Sequence, residues 1–413
     1  MATSYDYIII GSGAAGLSLV IHWMEHPFFQ DKEILLLDRE QKTTNDRTWC
    51  FWQKGKSPLD DILTKKWEVL QFLTPESDLT LDIAPYAYKM IRSRDFYQKA
   101  QAVIQQSPNV EFRQDQMLEI RGKEVICEGE TYHAKAYIFN SVPGTIAGEA
   151  YDHTLFQHFK GWFLKGDPAI ISKMDPILMD FRIEQTYGCD FFYVLPFAED
   201  QVLVEFTSFS PEILTDEVYE AKVAAYVEES VPLKEFSIEE KEFGIIPMTT
   251  AHIPRRRSES VINIGIAGGN AKPSTGYTFA FIQKNSHQIT ENILQGKDPL
   301  DQLDASLSRF MVMDAVFLRV LKEQKVPAWK IFDDFFQKLP ADLILSFLNE
   351  DTSVWEDFRI RNSMPTFLFM VAAFKEFVPI LKRWRRQANG FTPPTQSSLH
   401  PPKGELADSP VGR

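Results

Sequence analysis

Near the N-terminus, Gly11, Gly13 and Gly16 stand in a G-x-G-x-x-G spacing with Ala14 and Ala15 between them, and Asp38 follows 22 residues after the last glycine. That pattern suits a pyrophosphate. The first glycine permits a tight turn, the second lets the backbone approach the phosphates, and the third lets a helix lie close to a strand. A helix N-terminus facing the phosphates adds favourable partial charge. Asp38, with Arg39 beside it, stands where an acid accepts hydrogen bonds from a ribose diol. A second glycine cluster, 265–269, leads into Lys272-Pro-Ser-Thr-Gly-Tyr277. Gly268, Gly269, Thr275 and Gly276 are expected to face a flavin's pyrimidine edge, where a following helix favours negative charge. One fingerprint, a distant second cluster and no redox cysteine pair indicate a single-fingerprint flavoprotein. A second chemistry is suggested by Glu205. In the run 201–209, Leu203, Glu205, Thr207 and Phe209 share one face of a strand. A carboxyl among apolar neighbours is desolvated and holds its proton near neutral pH. The same pattern also describes an acid on a solvent-facing strand.

These residues need elements to hold them. The apolar run 5–10, the helix-like 17–25 and the second run 33–37 form a βαβ unit around the glycines. The middle, about 67–253, reads as strands with short helices between. Residues 272–289 read as a helix, and from 301 to about 387 the pattern is helical again. The expected class is α/β: a Rossmann-type FAD-binding flavoprotein fold with a β-rich substrate domain and a C-terminal helical region. The expected boundaries are 1–66, 90–150 and 254–300 for the FAD-binding part, with 67–89 and 151–253 for the substrate part. Residues 301–390 are expected to form a helical region open to membrane contact, and 391–413, with five prolines, a disordered tail.

Composition narrows the partners. A net charge of −13 over 413 residues argues against a nucleic-acid partner, whose phosphates attract cations. Cys50, Cys127 and Cys189 are far apart, so neither a disulfide scaffold nor a zinc knuckle is expected. Eight histidines without an H-x-x-H spacing give no metal site. Phe occurs 32 times against 13 Tyr and 8 Trp, which fits an apolar ligand cavity as well as an ordinary Phe-rich core. The polar start runs straight into a strand, so no signal or transit segment is expected. The apolar window 364–381 carries Lys375 and Glu376, whose insertion would cost roughly 2.5–3.5 kcal/mol each at a membrane's centre. Spanning is therefore not expected. Between 359 and 386, however, seven basic residues face one acid. That segment reads either as a surface anchor for anionic lipid or as a core helix with a solvated basic end.

Five further strings share a pattern: Asp46-Arg-Thr-Trp-Cys-Phe-Trp52, Phe192-Tyr-Val-Leu-Pro-Phe197, Val204-Glu-Phe-Thr-Ser208, Gly244-Ile-Ile-Pro-Met248 and Lys272-Pro-Ser-Thr-Gly-Tyr-Thr278. In this order they resemble the lycopene cyclase family, from about residue 5 to 381. The resemblance implies an isomerase that closes the linear ends of lycopene into β-ionone rings, β-carotene forming by way of γ-carotene. It implies FAD acting in its reduced state, with NADPH as external reductant, and a peripheral place on the cytoplasmic side of a membrane. It also implies that Glu205 is the catalytic acid. The family's usual second acid, directly after that glutamate, is Phe206 here, so Glu205 stands alone in its motif. Asp46, Arg47, Arg92 and the stretch 140–144 fall where related flavoproteins contact the cofactor. Trp49, Trp52, Phe191, Phe192 and Phe206 are the substrate-lining candidates. Two rival readings are a flavin monooxygenase or epoxidase acting on an apolar polyene, and a non-catalytic carotenoid carrier.

Overall fold

The computed structural model describes residues 3–144, 146, 148–303 and 308–388. The expected tail, 391–413, lies outside the described residues. Parallel strands Ile34–Asp38, Thr3–Ile10, Thr131–Asn140 and Val261–Asn263 lie side by side, with Ile8 opposite both Leu35 and Ile138. Helices cover this sheet, so its strands are continuous apolar runs rather than alternating ones. Helix Ala14–Met24 returns the chain from the first strand to the second, and helix Phe279–Leu294 packs beside it. Trp23 stacks on Phe29 at 4.7 Å and meets the edge of Phe139 at 5.4 Å, which pins the first helix to the sheet.

The second sheet has the order Phe236–Thr249, Thr154–Gly166, Gln201–Ser210, Cys189–Pro196, Ile177–Asp180, Val69–Leu73, Asp78–Asp82. One face packs under helix Asp216–Ser230, where Val202, Val204 and Phe206 join Trp162, Tyr219 and Tyr226. The other carries Leu203, Phe209, Phe191 and Phe72 toward the C-terminal helices. A small third sheet, Thr48–Lys54, Tyr86–Arg92 and Lys65–Trp67, bridges the two. The alternation of its first strand sends Trp49 and Phe51 to the nucleotide-side core and Cys50 and Trp52 to the second core.

Helices Arg309–Glu323, Ala328–Lys338, Ala341–Leu348, Val354–Ser363 and Thr366–Ala388 close the free face of the second sheet. Phe336 stacks on Phe72 at 4.3 Å and Phe332 on Phe181 at 5.5 Å. The last helix is tied down by Glu376, which is fully buried. Its carboxylate accepts from His153 Nε2 at 2.6 Å and from Arg383 Nη1 at 2.9 Å, and it also pairs with Arg319. The helix expected from 272 begins only at Phe279. Pro273 cannot donate a helical hydrogen bond, and Gly276 holds a positive φ of 70°, so residues 272–278 form a loop instead.

Candidate active site

The nucleotide turn has the geometry its glycines promise. Gly11 adopts φ 94°, and a side chain there would run into Ser141 Oγ. At Gly16 a Cβ would lie 2.0 Å from the Gly11 carbonyl, so only glycine lets the helix approach its own turn. Around Gly13, by contrast, a Cβ would meet nothing within 4 Å. No side chain caps helix Ala14–Met24, whose first N–H groups therefore face that space. Asp38 Oδ2 accepts from Ser12 N at 2.6 Å and Ser12 Oγ at 2.7 Å, holding the acid against the turn. Arg39 lies exposed beside it. The two glycine clusters, some 250 residues apart in sequence, meet here: a Cβ on Gly265 would come within 2.7 Å of Ala15 Cβ. Gly268 and Gly269 complete that turn, with Gly269 in the left-handed region.

Glu205 is buried on the core-facing side of its strand, where Thr207 Oγ1 donates to it at 3.1 Å. Its cross-strand neighbours are Tyr193 on one side and Gly161 on the other. Gly161 is also opposite Glu242, one strand further on. A Cβ at Gly161 would stand 3.1 Å from Glu242 Cγ and 2.9 Å from Leu203 Cδ1, so this glycine leaves open the space over which the two acids face each other. Burial, then the charge of Glu242 and a hydrogen bond to it, hold the Glu205 carboxyl well above the usual carboxylate range, against the pull of Thr207. Glu242 is raised too, by burial, but the Thr48 hydroxyl, Glu205 and the Arg92 guanidinium pull it back down. Both carboxyls are thus held above the usual carboxylate range, Glu205 the further of the two, and a hydrogen bond couples them. Burial first, then the two acids, pushes the neighbouring Cys50 thiol well up, and burial does the same for the Tyr88 and Tyr193 phenols. Tyr277 is pushed up to about 12, burial again being the largest cause.

An apolar cavity of about 460 Å³ lies between the second sheet and the C-terminal helices, and Tyr193, the cross-strand neighbour of Glu205, lines it. Its walls include Trp52, Tyr193, Phe209, Tyr277, Phe317 and Phe332, with Thr275 at the loop. The hydroxyls of Tyr193 and Tyr277 approach to 3.4 Å on the side of Glu205. Buried Lys272 anchors the loop to the helices through Asp314 at 3.1 Å and Glu350 at 2.8 Å.

Of the five substrate-lining candidates, Trp52 lines the cavity, and Phe191 packs behind it on Tyr193 and Phe209. The other three do not reach it. Phe192 and Phe206 sit on the opposite face of the sheet, with Phe192 stacked on Tyr226 at 3.8 Å. They precede or follow an inward residue by one position, and a strand turns such neighbours away. Trp49 stacks on Phe279 at 5.0 Å in the nucleotide-side core. Arg92, expected at the cofactor, instead stacks over Phe163 at 3.8 Å and pairs with Glu240 at 2.6 Å, beside the two acids. Asp46 accepts from Tyr97 at 2.8 Å and Ser93 at 3.1 Å. Burial raises its pKa, yet these bonds and the Lys42 and Arg47 charges bring it below the usual value, so Asp46 is no proton donor. Sequence reasoning missed Glu242. Its strand reads Ile238-Glu-Glu-Lys-Glu242, which resembles a solvated acidic edge, and only the register across two strands reveals the pairing. Among the described residues no group of three or more His, Cys, Asp or Glu is arranged to hold a metal ion.

The family described as "Lycopene cyclase protein" matches residues 6–373. The chain belongs to the lycopene cyclase family. Within it, the chain is similar to a lycopene beta-cyclase of Pseudescherichia vulneris, 24% identical over 403 residues, covering 94% of this chain and 98% of that protein. It is also similar to one from Pantoea ananas, 23% identical over 383 residues, covering 88% and 96%. Among solved structures, a flavoprotein/dehydrogenase from Cytophaga hutchinsonii superposes with a TM-score of 0.58 at 13% identity, covering 90% of this chain and all of that one. A geranylgeranyl bacteriochlorophyll reductase-like protein from Thermoplasma acidophilum gives 0.55 at 12%, covering 94% and 100%. These likenesses identify the fold of this cyclase-family chain as a flavoprotein fold.

Proposed function

We propose that this protein is a carotenoid cyclase that closes the linear ends of lycopene into β rings, giving β-carotene by way of one-ring γ-carotene. The observation that carries the reading is the buried carboxyl of Glu205, held well above the usual carboxylate range beside a second acid, with its cross-strand neighbour Tyr193 in the wall of an apolar cavity within the size range of small-molecule sites. The Glu205 O–H bond breaks as its proton bonds to the terminal alkene. The neighbouring double bond attacks the resulting cation and closes the ring. A ring proton then leaves and a double bond forms, so nothing is oxidised or reduced overall. Trp52, Tyr193 and Tyr277 present aromatic rings toward the cavity, where they stabilise a cation.

FAD fits the nucleotide turn. Residues 11–16 would hold its pyrophosphate and Asp38 its ribose, with 265–269 and the loop through Gly276 toward its ring end. Bound and reduced, FAD supplies an electron-rich surface to the cation, and NADPH is the external reductant in this reading. A peripheral seat on the cytoplasmic side of a membrane belongs to the same proposal. What supports it is an outward face of the last two helices with Trp355 at 81%, Phe367 at 79% and Phe374 at 85% exposure. Among the described residues no single helix is long and apolar enough to cross a membrane. Lys382 and Arg385 flank that face, whereas Arg383 is buried against Asp152 and Glu376 and contributes nothing to lipid contact.

The test is anaerobic incubation with lycopene and chemically reduced FAD, followed by pigment chromatography. Cyclised product without oxygen and without stoichiometric loss of reductant is expected. Product that requires oxygen and consumes reductant in step would establish the monooxygenase reading. Tight lycopene binding with no conversion would establish the carrier.

A further inference from the structure

We propose that Glu242 is the second catalytic carboxyl of this site: it takes the proton that leaves the newly closed ring and passes it to Glu205, an inference that rests on the cyclase reading above. The geometry is specific. Glu205 and Glu242 lie on strands separated by the strand Thr154–Gly166, and both are opposite Gly161 in register. Side chains two strands apart do not normally meet. Here the one intervening position has no side chain, and the row on either side of it is filled by Phe159, whose ring covers Gly244, and by Phe163.

The acceptor can be found by elimination around Glu205. From the bridging sheet come Cys50, Tyr88 and Arg92; from the adjoining strand comes Tyr193, and from the loop Tyr277. Burial keeps the thiol and the three phenols neutral, and Arg92 is a cation. Glu240 faces the same way, but Arg92 neutralises it at 2.6 Å. Glu242 is the remaining carboxyl: it faces Glu205 across the gap left at Gly161, and the hydrogen bond between the two gives a returning proton its path. The cycle balances. Glu205 loses its proton to the alkene, which would leave two carboxylates side by side in an apolar site. That arrangement is costly until a proton returns. The ring C–H bond then breaks, its electron pair forms the ring double bond, and the proton bonds to Glu242 and moves to Glu205. No oxidant or reductant is needed. The acid's unusual partner thus draws the second proton transfer forward and decides which ring proton leaves.

The experiment compares flavin-loaded parent, Glu205→Gln, Glu242→Gln and Glu242→Asp with lycopene and reduced FAD under anaerobic conditions. Bound flavin absorbance reports folding. For Glu242→Gln the expected result is an unchanged KM and a kcat lower by about 10²-fold or more, in the range of lost acid–base catalysis. The alkaline limb of its pH profile moves to lower pH, because Glu205 has lost its negative neighbour, and the acid limb disappears. Residual product includes rings whose double bond lies elsewhere, and Glu242→Asp regains part of the rate. Independently of turnover, difference infrared titration should show a protonated carboxyl band that is absent in Glu205→Gln and titrates at lower pH in Glu242→Gln. If Glu242→Gln keeps the parental kcat, isomer ratio and pH profile while Glu205→Gln is inactive, this inference fails and the cyclase reading stands. If the parent forms no ring at all, the cyclase reading fails, and an infrared band indifferent to Glu242 then overturns the pairing as well.

Discussion

Glu205 keeps its proton because burial and a neighbouring acid both penalise ionisation, and the same penalty fixes what its replacement does. Glu205→Gln retains shape but cannot donate to an alkene, so cyclisation should fall by on the order of 10²–10⁴-fold with FAD and lycopene still bound. Near-parental turnover by the flavin-loaded variant would remove the residue from the chemistry. Glu205→Asp keeps the acid one methylene short and should retain slight activity. Stability should move the other way. A carboxyl whose folded pKa is raised is harmless while protonated, and it destabilises increasingly as pH rises above the unfolded value toward the folded one. Glu205→Gln should therefore match the parent's Tm at pH 4 and exceed it by a growing margin toward pH 8, which thermal scans across that range would check. At this scale the sequence was informative about one acid and silent about the other. Alternation in 201–209 put Glu205 on the Leu203 and Phe209 face, where it is found. Glu242 needed knowledge of which strand pairs with which, and of an empty position at Gly161, and neither is local.

Two elements set the geometry. The first is the turn into helix Ala14–Met24. Because a Cβ at Gly13 meets nothing in the protein, Gly13→Val should fold normally yet lose FAD, its side chain lying where the pyrophosphate must sit. Thermal unfolding without added flavin, beside flavin absorbance after loading, separates the two effects; retained flavin would contradict the turn's role. The second is the last helix, locked by buried Glu376. Burial pushes that carboxyl upward, but hydrogen bonds from His153, Arg383 and Arg319 outweigh it and hold the pKa at about 2. Its contribution to stability is thus complete above the ordinary glutamate pKa and is lost as pH falls through about 2. Glu376→Ala removes one of the two carboxylates that hold buried Arg383, leaving Asp152, and should lower stability in urea unfolding at pH 7 by a difference that narrows below pH 4. The βαβ unit was legible because a buried parallel strand announces itself as a continuous apolar run. The faces of Phe192 and Phe206 were not, since a motif resemblance ignores the period of two that turns adjacent residues apart.

As a whole the molecule closes its cavity with five helices, the last two of which carry an apolar outer face. Phe358, Arg361 and Met370 belong both to the cavity wall and to the exposed side of these helices, which on the proposed membrane-seated reading would give a polyene a short route inward. Phe367→Glu with Phe374→Glu should abolish partition onto anionic vesicles, while replacing Lys382 and Arg385 by Gln should weaken it by about 1 kcal/mol per charge. Equal sedimentation of the parent and the Phe variants would remove the membrane face from the account. The basic cluster was visible in the sequence, but its division was not. Arg383 turns inward to Glu376 and Lys375 is held by Glu323, because a helix distributes neighbouring residues around its circumference. The most direct measurement of the whole account is a single anaerobic turnover in deuterated water, with enzyme carrying reduced FAD and with the pigment analysed by mass spectrometry. Proton-initiated closure by Glu205 predicts one deuterium retained in the first ring formed, no added oxygen, and no product from Glu205→Gln. One-ring product formed without deuterium, or products carrying oxygen, would contradict it.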